Sequence, residues 1–266
     1  QPNQRIAPSA APQSQPKVLD AEEGLRLAAG KADLAADMLS MLLAGLPGLA
    51  GESATQVEAA WLLCVARMAA RNGSLAELHR AYHDERHLME LAGTLGALRG
   101  SGHAHDLAAV EWASLLLFAG GHDLRQDLSG TGEDGIGNNE KASAAETVRV
   151  LEQAGLGPVT ADSPWRLLEP MIHGTTFSPV SAPGGLGSPG ALAPEVAAGL
   201  LKYSEADAYP DAERASELVL LAADVDTANV AQGIHELALQ TVRLCRESHR
   251  LRGLEALDAS SADSVF

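Results

Sequence analysis

Val110-Glu-Trp-Ala-Ser-Leu-Leu-Leu-Phe118, followed by Ala119-Gly-Gly-His122-Asp123, decides the fold. The stretch is strongly apolar and closes on a glycine pair, so it reads as a buried helix that stops where a His and an Asp stand side by side. Working outward, the same helical period recurs along the chain. Segments run from about 20 to 29, 33 to 46, 53 to 70 (closed by Asn72-Gly73), 75 to 98, 106 to 118, 141 to 154, 164 to 172, 194 to 203, 211 to 223 and 227 to 250. The 75–98 segment carries a potential break near Tyr82. No alternating strand run and no internal repeat is present. Two Gly-rich stretches interrupt the helices, Asp127 to Asn139 and Ser178 to Pro189, of the kind that carries function more often than fold.

Composition agrees. Aromatic residues make up 3% of the 266 positions while Ala and Leu dominate, and such a core is built from helices packed on small side chains. The predicted architecture is all-α, a single helical bundle over residues 19–258 with two Gly/Pro-rich loops. Residues 1–18, rich in Pro, Gln, Ser and Ala, and residues 259–266 read as flexible ends. Cys64 and Cys245 are too few for a disulfide scaffold and lie in apolar helical patterns, where Cys acts as a small hydrophobe.

Nineteen Lys and Arg against 35 Asp and Glu leave a formal charge of −16. That balance argues against binding a nucleic acid duplex through its phosphates and against docking on an anionic membrane. No apolar run is long enough to span a bilayer. The chain opens on Gln1 without an apolar leader, and the expectation is a processed product in the cytoplasm. There is no P-loop and no dinucleotide fingerprint after a strand.

Nine histidines are present, six of them between His79 and His122, and three are followed at once by Asp: His83-Asp84, His105-Asp106 and His122-Asp123. Imidazole and carboxylate together suit a divalent transition metal. Neighbouring helical residues point about 100° apart, so His122 and Asp123 can reach one cation only where the helix frays, as the Gly pair allows. Spacing then selects the partner. His105 lies about 25 Å away along an unbroken helix. His87 sits at the matching level of an antiparallel neighbour reached through the glycine turn at 100–102.

These residues resemble the HD-domain superfamily of metal-dependent phosphohydrolases over about residues 75–245. Tyr82-His-Asp-Glu-Arg-His87 is similar to its first element, Phe118-Ala-Gly-Gly-His122-Asp123 to its His-Asp doublet and Leu221-Ala-Ala-Asp224-Val-Asp226 to its final Asp element. The Asn138-Asn139-Glu140-Lys-Ala-Ser-Ala and Met171-Ile-His173 segments resemble two further ones. Gly121 departs from the small apolar residue usual before the doublet, and the loop after it is long. By this resemblance His87, His122, Asp123 and Asp224 are the metal ligands, with Asp226 as fallback and His173 as a ligand of a second metal.

The resemblance implies a phosphohydrolase that cleaves a phosphomonoester or phosphodiester, with a small phosphorylated substrate such as a nucleotide and a divalent ion (Mn, Fe, Ni, Mg or Zn) that activates water. Asp123 lies at the reaction centre. Arg125, Lys141 and Arg86 are candidates to neutralise phosphoryl charge. His83 or His173 is the candidate general acid. Two alternatives stay open: a catalytically silent HD-like domain that binds a nucleotide or a protein, and a di-metal oxygenase on the same ligands. An unrelated helical module with incidental histidines would bind no metal.

Overall fold

The computed structural model describes residues 51–76, 79–102, 106–126, 136–160, 162–178, 190–203, 211–228 and 233–251. Among them lie eight helices: α1 Glu52–Arg71, α2 Glu85–Ser101, α3 Ala109–Gly121, α4 Asn138–Gln153, α5 Leu168–Gly174, α6 Ala193–Tyr203, α7 Ala212–Asp226 and α8 Ile234–Leu251. The all-α expectation therefore holds, with one addition. Phe177–Ser178 and Gly190–Ala191 form a two-residue antiparallel pair. The expected segments 20–29 and 33–46, both flexible ends and most of the two Gly-rich stretches lie outside the described residues.

α3 occupies the centre, packed by α1, α2, α4, α5 and α7. Every residue from Trp112 to Gly121 is buried, as expected of a helix that presents apolar side chains all round. Trp61, Leu63 and Met68 of α1, Leu88 and Leu95 of α2, and Val219 and Ala222 of α7 close around it. The Gly pair has a packing reason. A Cβ on Gly120 would come within 3.0 Å of the Trp61 ring, and one on Gly121 within 2.3 Å of Thr147 Oγ1. Thr147 Oγ1 lies 2.8 Å from Ser143 O and 3.1 Å from Gly121 O, so its single proton is shared between the two carbonyls. Gly121, the departure noted in the doublet, is the residue that lets α4 approach the end of α3.

Several boundaries differ from expectation. Residues 75–76 and 79–84 are not helical. α2 begins only at Glu85, because Asp84 adopts an extended conformation and caps the helix, its carboxylate accepting from Arg86 N and His87 N. His83 therefore precedes the helix instead of sharing a face with His87. α3 starts at Ala109, where the Glu111 carboxylate accepts from Ala108 N at 2.6 Å, and not at Asp106. The N-cap of α4 is Gly137, with φ 78°, so the helix starts at Asn138 and not at about 141. α8 starts at Ile234 after Gly233 (φ 114°), well beyond Thr227. α8 also turns its polar side inward. Gln240 Nε2 donates to Glu90 at 3.2 Å, and Arg243 Nε donates to Ala81 O at 2.9 Å. Ile234, Leu239 and Val242 are exposed.

Candidate metal centre

His87, His122 and Asp123 form a group that could hold a metal ion, with their donor atoms all within 4.8 Å of one another. The bundle assembles it from two helix ends. His87 stands in the first turn of α2, fixed there by the Asp84 cap. His122 is the C-cap residue of α3, its N–H donating to Phe118 O, and Asp123 follows in the turn. The helices lie side by side, so the imidazole rings are 5.4 Å apart between centroids.

A further carboxylate stands beside these nitrogens, Asp226 of α7, whereas Asp224 does not. Asp226 Oδ1 lies 3.2 Å from His122 Nε2 and 3.5 Å from His87 Nε2. Asp123 Oδ2 lies 3.1 Å and 3.5 Å from the same two nitrogens. Asp224 is exposed. The reason is helical period: Ala215, Val219, Ala222 and Asp226 share the buried stripe of α7, while Glu213, Glu217, Leu220 and Asp224 share the exposed one.

The donors are oriented for a cation. His122 Nδ1 lies 3.3 Å from Ala119 O. A carbonyl can only accept, so the proton sits on Nδ1 and the Nε2 lone pair points into the site. His122 Nε2 and His87 Nε2 are both buried without a hydrogen bond of good geometry, although two carboxylate oxygens stand close by. An ion placed between them and the carboxylates could satisfy both nitrogens. Asp123 uses its other oxygen to accept from Gln126 Nε2 at 2.6 Å, and Gln126 Oε1 accepts from Asn139 Nδ2 at 3.2 Å. The Asn-Asn-Glu segment thus supports the site at one remove.

Electrostatics bind the group tightly. Burial works to raise the Asp123 and Asp226 carboxyls, but the neighbouring His122 charge overcomes it and holds both far below the usual carboxylate range. Burial likewise opposes a charge on His122, yet the two aspartates lift it well above the ordinary histidine value. Without a cation, protonated imidazole is the counter-charge of these carboxylates.

His83 sits at the edge of the group. Its Nε2 is 3.8 Å from Asp123 Oδ2, and its Nδ1 is 2.6 Å from Glu247 Oε1. Burial opposes its charge, but Asp123 and Glu247 raise its pKa. Glu247, on α8, also accepts from Tyr82 N at 2.8 Å and His83 N at 3.0 Å. The opposing influence of burial is outweighed, and its carboxyl is pulled down to about 2. Nothing in the sequence marked Glu247, which lies 164 residues beyond His83. Gln126 was equally unmarked.

The other sequence candidates fall elsewhere. Arg86 folds back on Asp84, with Nε donating to Oδ2 at 2.8 Å. Arg125 points behind the turn, Nη1 3.8 Å from Glu146 Oε2. Lys141 is exposed in the first turn of α4. His173, on α5, is half-buried, with Nε2 3.7 Å from Glu169. Its charge also reaches Glu140, whose carboxyl is raised by burial and by Asp123 and lowered in part by His173. His173 is thus not among the clustered donors. His103 and His105 lie outside the described residues. His87, Glu90, Thr94, Asp226 and Gln240 line a shallow pocket between α2, α7 and α8 that opens onto the donors.

Comparisons with known proteins add little. No family model and no solved structure matches the chain. It is 87% identical over 31 residues to "Sensor protein GacS" of Pseudomonas syringae pv. syringae. It is 83% identical over 30 residues to "Sensor histidine kinase GacS" of Pseudomonas protegens. These matches cover 12% and 11% of this chain, and the chain spans about 3% of the length of each relative. No helix among the described residues is long and apolar enough to cross a membrane.

Proposed function

We propose that the chain is a metal-dependent phosphohydrolase of the HD type, with His87, His122, Asp123 and Asp226 as the metal-binding set. The observation that carries this reading is the convergence of two buried imidazole Nε2 atoms, each lacking a well-formed hydrogen bond, on carboxylate oxygens at 3.1–3.5 Å. Two nitrogen and two oxygen donors suit manganese, iron, nickel or zinc, and magnesium on the oxygen side.

When bound, a divalent ion lowers the pKa of a water ligand and polarises a phosphoryl oxygen. The chain's own residues supply the rest. Asp123 and Asp226 stay ionised at any pH near neutrality because the imidazoles beside them favour the charged form. Ala119 O sets the His122 tautomer, so that Nε2 is the donor. Gln126 and Asn139 hold Asp123 against rotation. His83 carries the general-acid role: Glu247 anchors its Nδ1, and the raised pKa keeps a proton on the Nε2 that borders the site. The substrate in this reading is a small phosphomonoester or phosphodiester. Charge neutralisation by Arg125 would require it to leave Glu146.

The test is metal content by elemental analysis, followed by a panel of phosphomonoesters, cyclic nucleotides and nucleotides. Near-stoichiometric metal in the wild type, lost in His122→Ala/Asp123→Ala, is the expected result. Asp226→Asn lowers metal affinity at least about 100-fold, whereas Asp224→Asn leaves it unchanged. Protein that takes up no metal from excess divalent ions would sink the hydrolase reading and leave a helical binding module. Metal uptake without turnover of any phosphoester would favour the silent or oxygenase alternatives.

A further inference from the structure

Behind the His122–Asp123 turn, four arginines converge on one carboxylate. Arg67 and Arg71 stand one turn apart on α1, and Glu146 and Arg149 lie on the facing side of α4. Glu146 Oε1 accepts from Arg67 Nη1 and from Arg71 Nη2, the latter at 3.1 Å. Oε2 is 3.0 Å from Arg149 Nη2 and 3.8 Å from Arg125 Nη1. Four positive charges thus face one negative charge, in a chain whose overall charge is −16.

A structural ion pair between α1 and α4 needs only one of these arginines. Arg67 shows the imbalance most clearly. Its side chain is 4% exposed, and its Nε and Nη2 are buried without a hydrogen-bond partner among the described residues. Those two atoms form one edge of the guanidinium fork, the edge that grips an oxyanion with two parallel hydrogen bonds. Side-chain exposure climbs from 4% at Arg67 through 6% at Arg71 and 12% at Arg125 to 43% at Arg149. The cluster thus runs from the exposed Arg149 to the buried Arg67 edge.

We propose that this cluster is a phosphate-type oxyanion site, distinct from the donor group of His87, His122 and Asp123. Its occupant is inorganic phosphate or the phosphate group of a nucleotide. The site touches the turn that carries the doublet, because Arg71 Nη1 donates to Leu124 O and Arg125 N donates to Ser143 Oγ at 2.9 Å.

Thermal shift and calorimetric titration test it, with inorganic phosphate and AMP as probes, chloride at matched ionic strength as control, and a chelator throughout. The expected result is a saturable rise in Tm of the wild type with phosphate. Asp123→Asn keeps that rise, which separates it from phosphate at the neighbouring donor group and from the fate of the hydrolase reading. Arg149→Ala weakens apparent affinity about tenfold. Arg67→Met abolishes the response while Arg71 and Arg149 keep Glu146 paired, so its own Tm is little changed. If Arg67→Met does not fold, Arg149→Ala decides alone. Equal affinity for both probes identifies free phosphate as the occupant, and tighter AMP binding identifies a nucleotide. No saturable shift beyond chloride would overturn the proposal. So would a shift retained in Arg67→Met, unaltered in Arg149→Ala, or lost in Asp123→Asn.

Discussion

His122 Nε2 can carry one of two cations, a proton or a metal ion, and the aspartates beside it set the terms for both. Asp123 and Asp226 raise its pKa well above 6.5 in the folded chain, while its own charge pulls both carboxyls far below 3.8. The sign of the linkage follows. A raised histidine stabilises the fold fully below its unfolded value of 6.5 and loses that contribution as pH rises through the folded value. A depressed carboxyl contributes fully above its unfolded value of 3.8 and loses it as pH falls through the folded value. In chelator, the cluster therefore stabilises most between about pH 3.8 and 6.5. The expected outcome is a Tm that falls as pH is raised from 6 to 9, with a weaker decline in Asp123→Asn. A flat wild-type profile would contradict the coupling. Metal affinity runs the other way, tightening as pH rises with release of the His122 proton; calorimetry in buffers of different ionisation enthalpy counts that proton.

Glu247 shows how a helix that adds little to the core still shapes the site. α8 attaches by its polar side, and one carboxylate accepts from Tyr82 N, His83 N and His83 Nδ1 and pairs with Arg80 at 3.3 Å. This capture holds residues 80–84 out of the helix that the sequence period suggested, and leaves Asp84 free to cap α2. Glu247→Gln keeps the shape but gives up the charge and part of the acceptor capacity. It is expected to destabilise by about 1–3 kcal/mol in urea unfolding, with amide exchange quickening at Tyr82 and His83 before the core of α3. Unchanged exchange there would mean that α8 does not hold the segment. The limits of the sequence reading have the same origin. The Gly-Gly stop of α3 and the shared level of His87 and His122 depend on local period and short connections, and both were legible. The start of α2 depends on a contact across 164 residues, which no local pattern records. Asp226 lay between these cases. The stripe of Ala215, Val219 and Ala222 pointed to it, but choosing Asp226 over Asp224 required knowing which face of α7 is buried.

The four residues proposed as ligands, 87, 122, 123 and 226, come from α2, the end of α3 and α7, so an ion held there would tie together chain segments more than a hundred residues apart. α3 is the hub through which these helices share one core. A ligand that binds only the folded state stabilises it by mass action, about 2.7 kcal/mol at a hundredfold excess over its Kd. For a chain of this length that corresponds to a Tm rise of roughly 5–10 °C. Stripping metal with a chelator is expected to reverse the rise. It is also expected to quicken hydrogen exchange together at the start of α2, the end of α3 and the end of α7. α6, which packs on α5 and α7 away from the donors, should be unaffected. The joint response is the informative part. Added metal can also raise Tm by binding scattered surface carboxylates on a chain of charge −16. Binding of that kind would protect no single set of helix ends, and Asp226→Asn would leave it intact. Loss of the joint protection in Asp226→Asn, with Tm no longer sensitive to chelator, is the outcome that places the ion among the three helices.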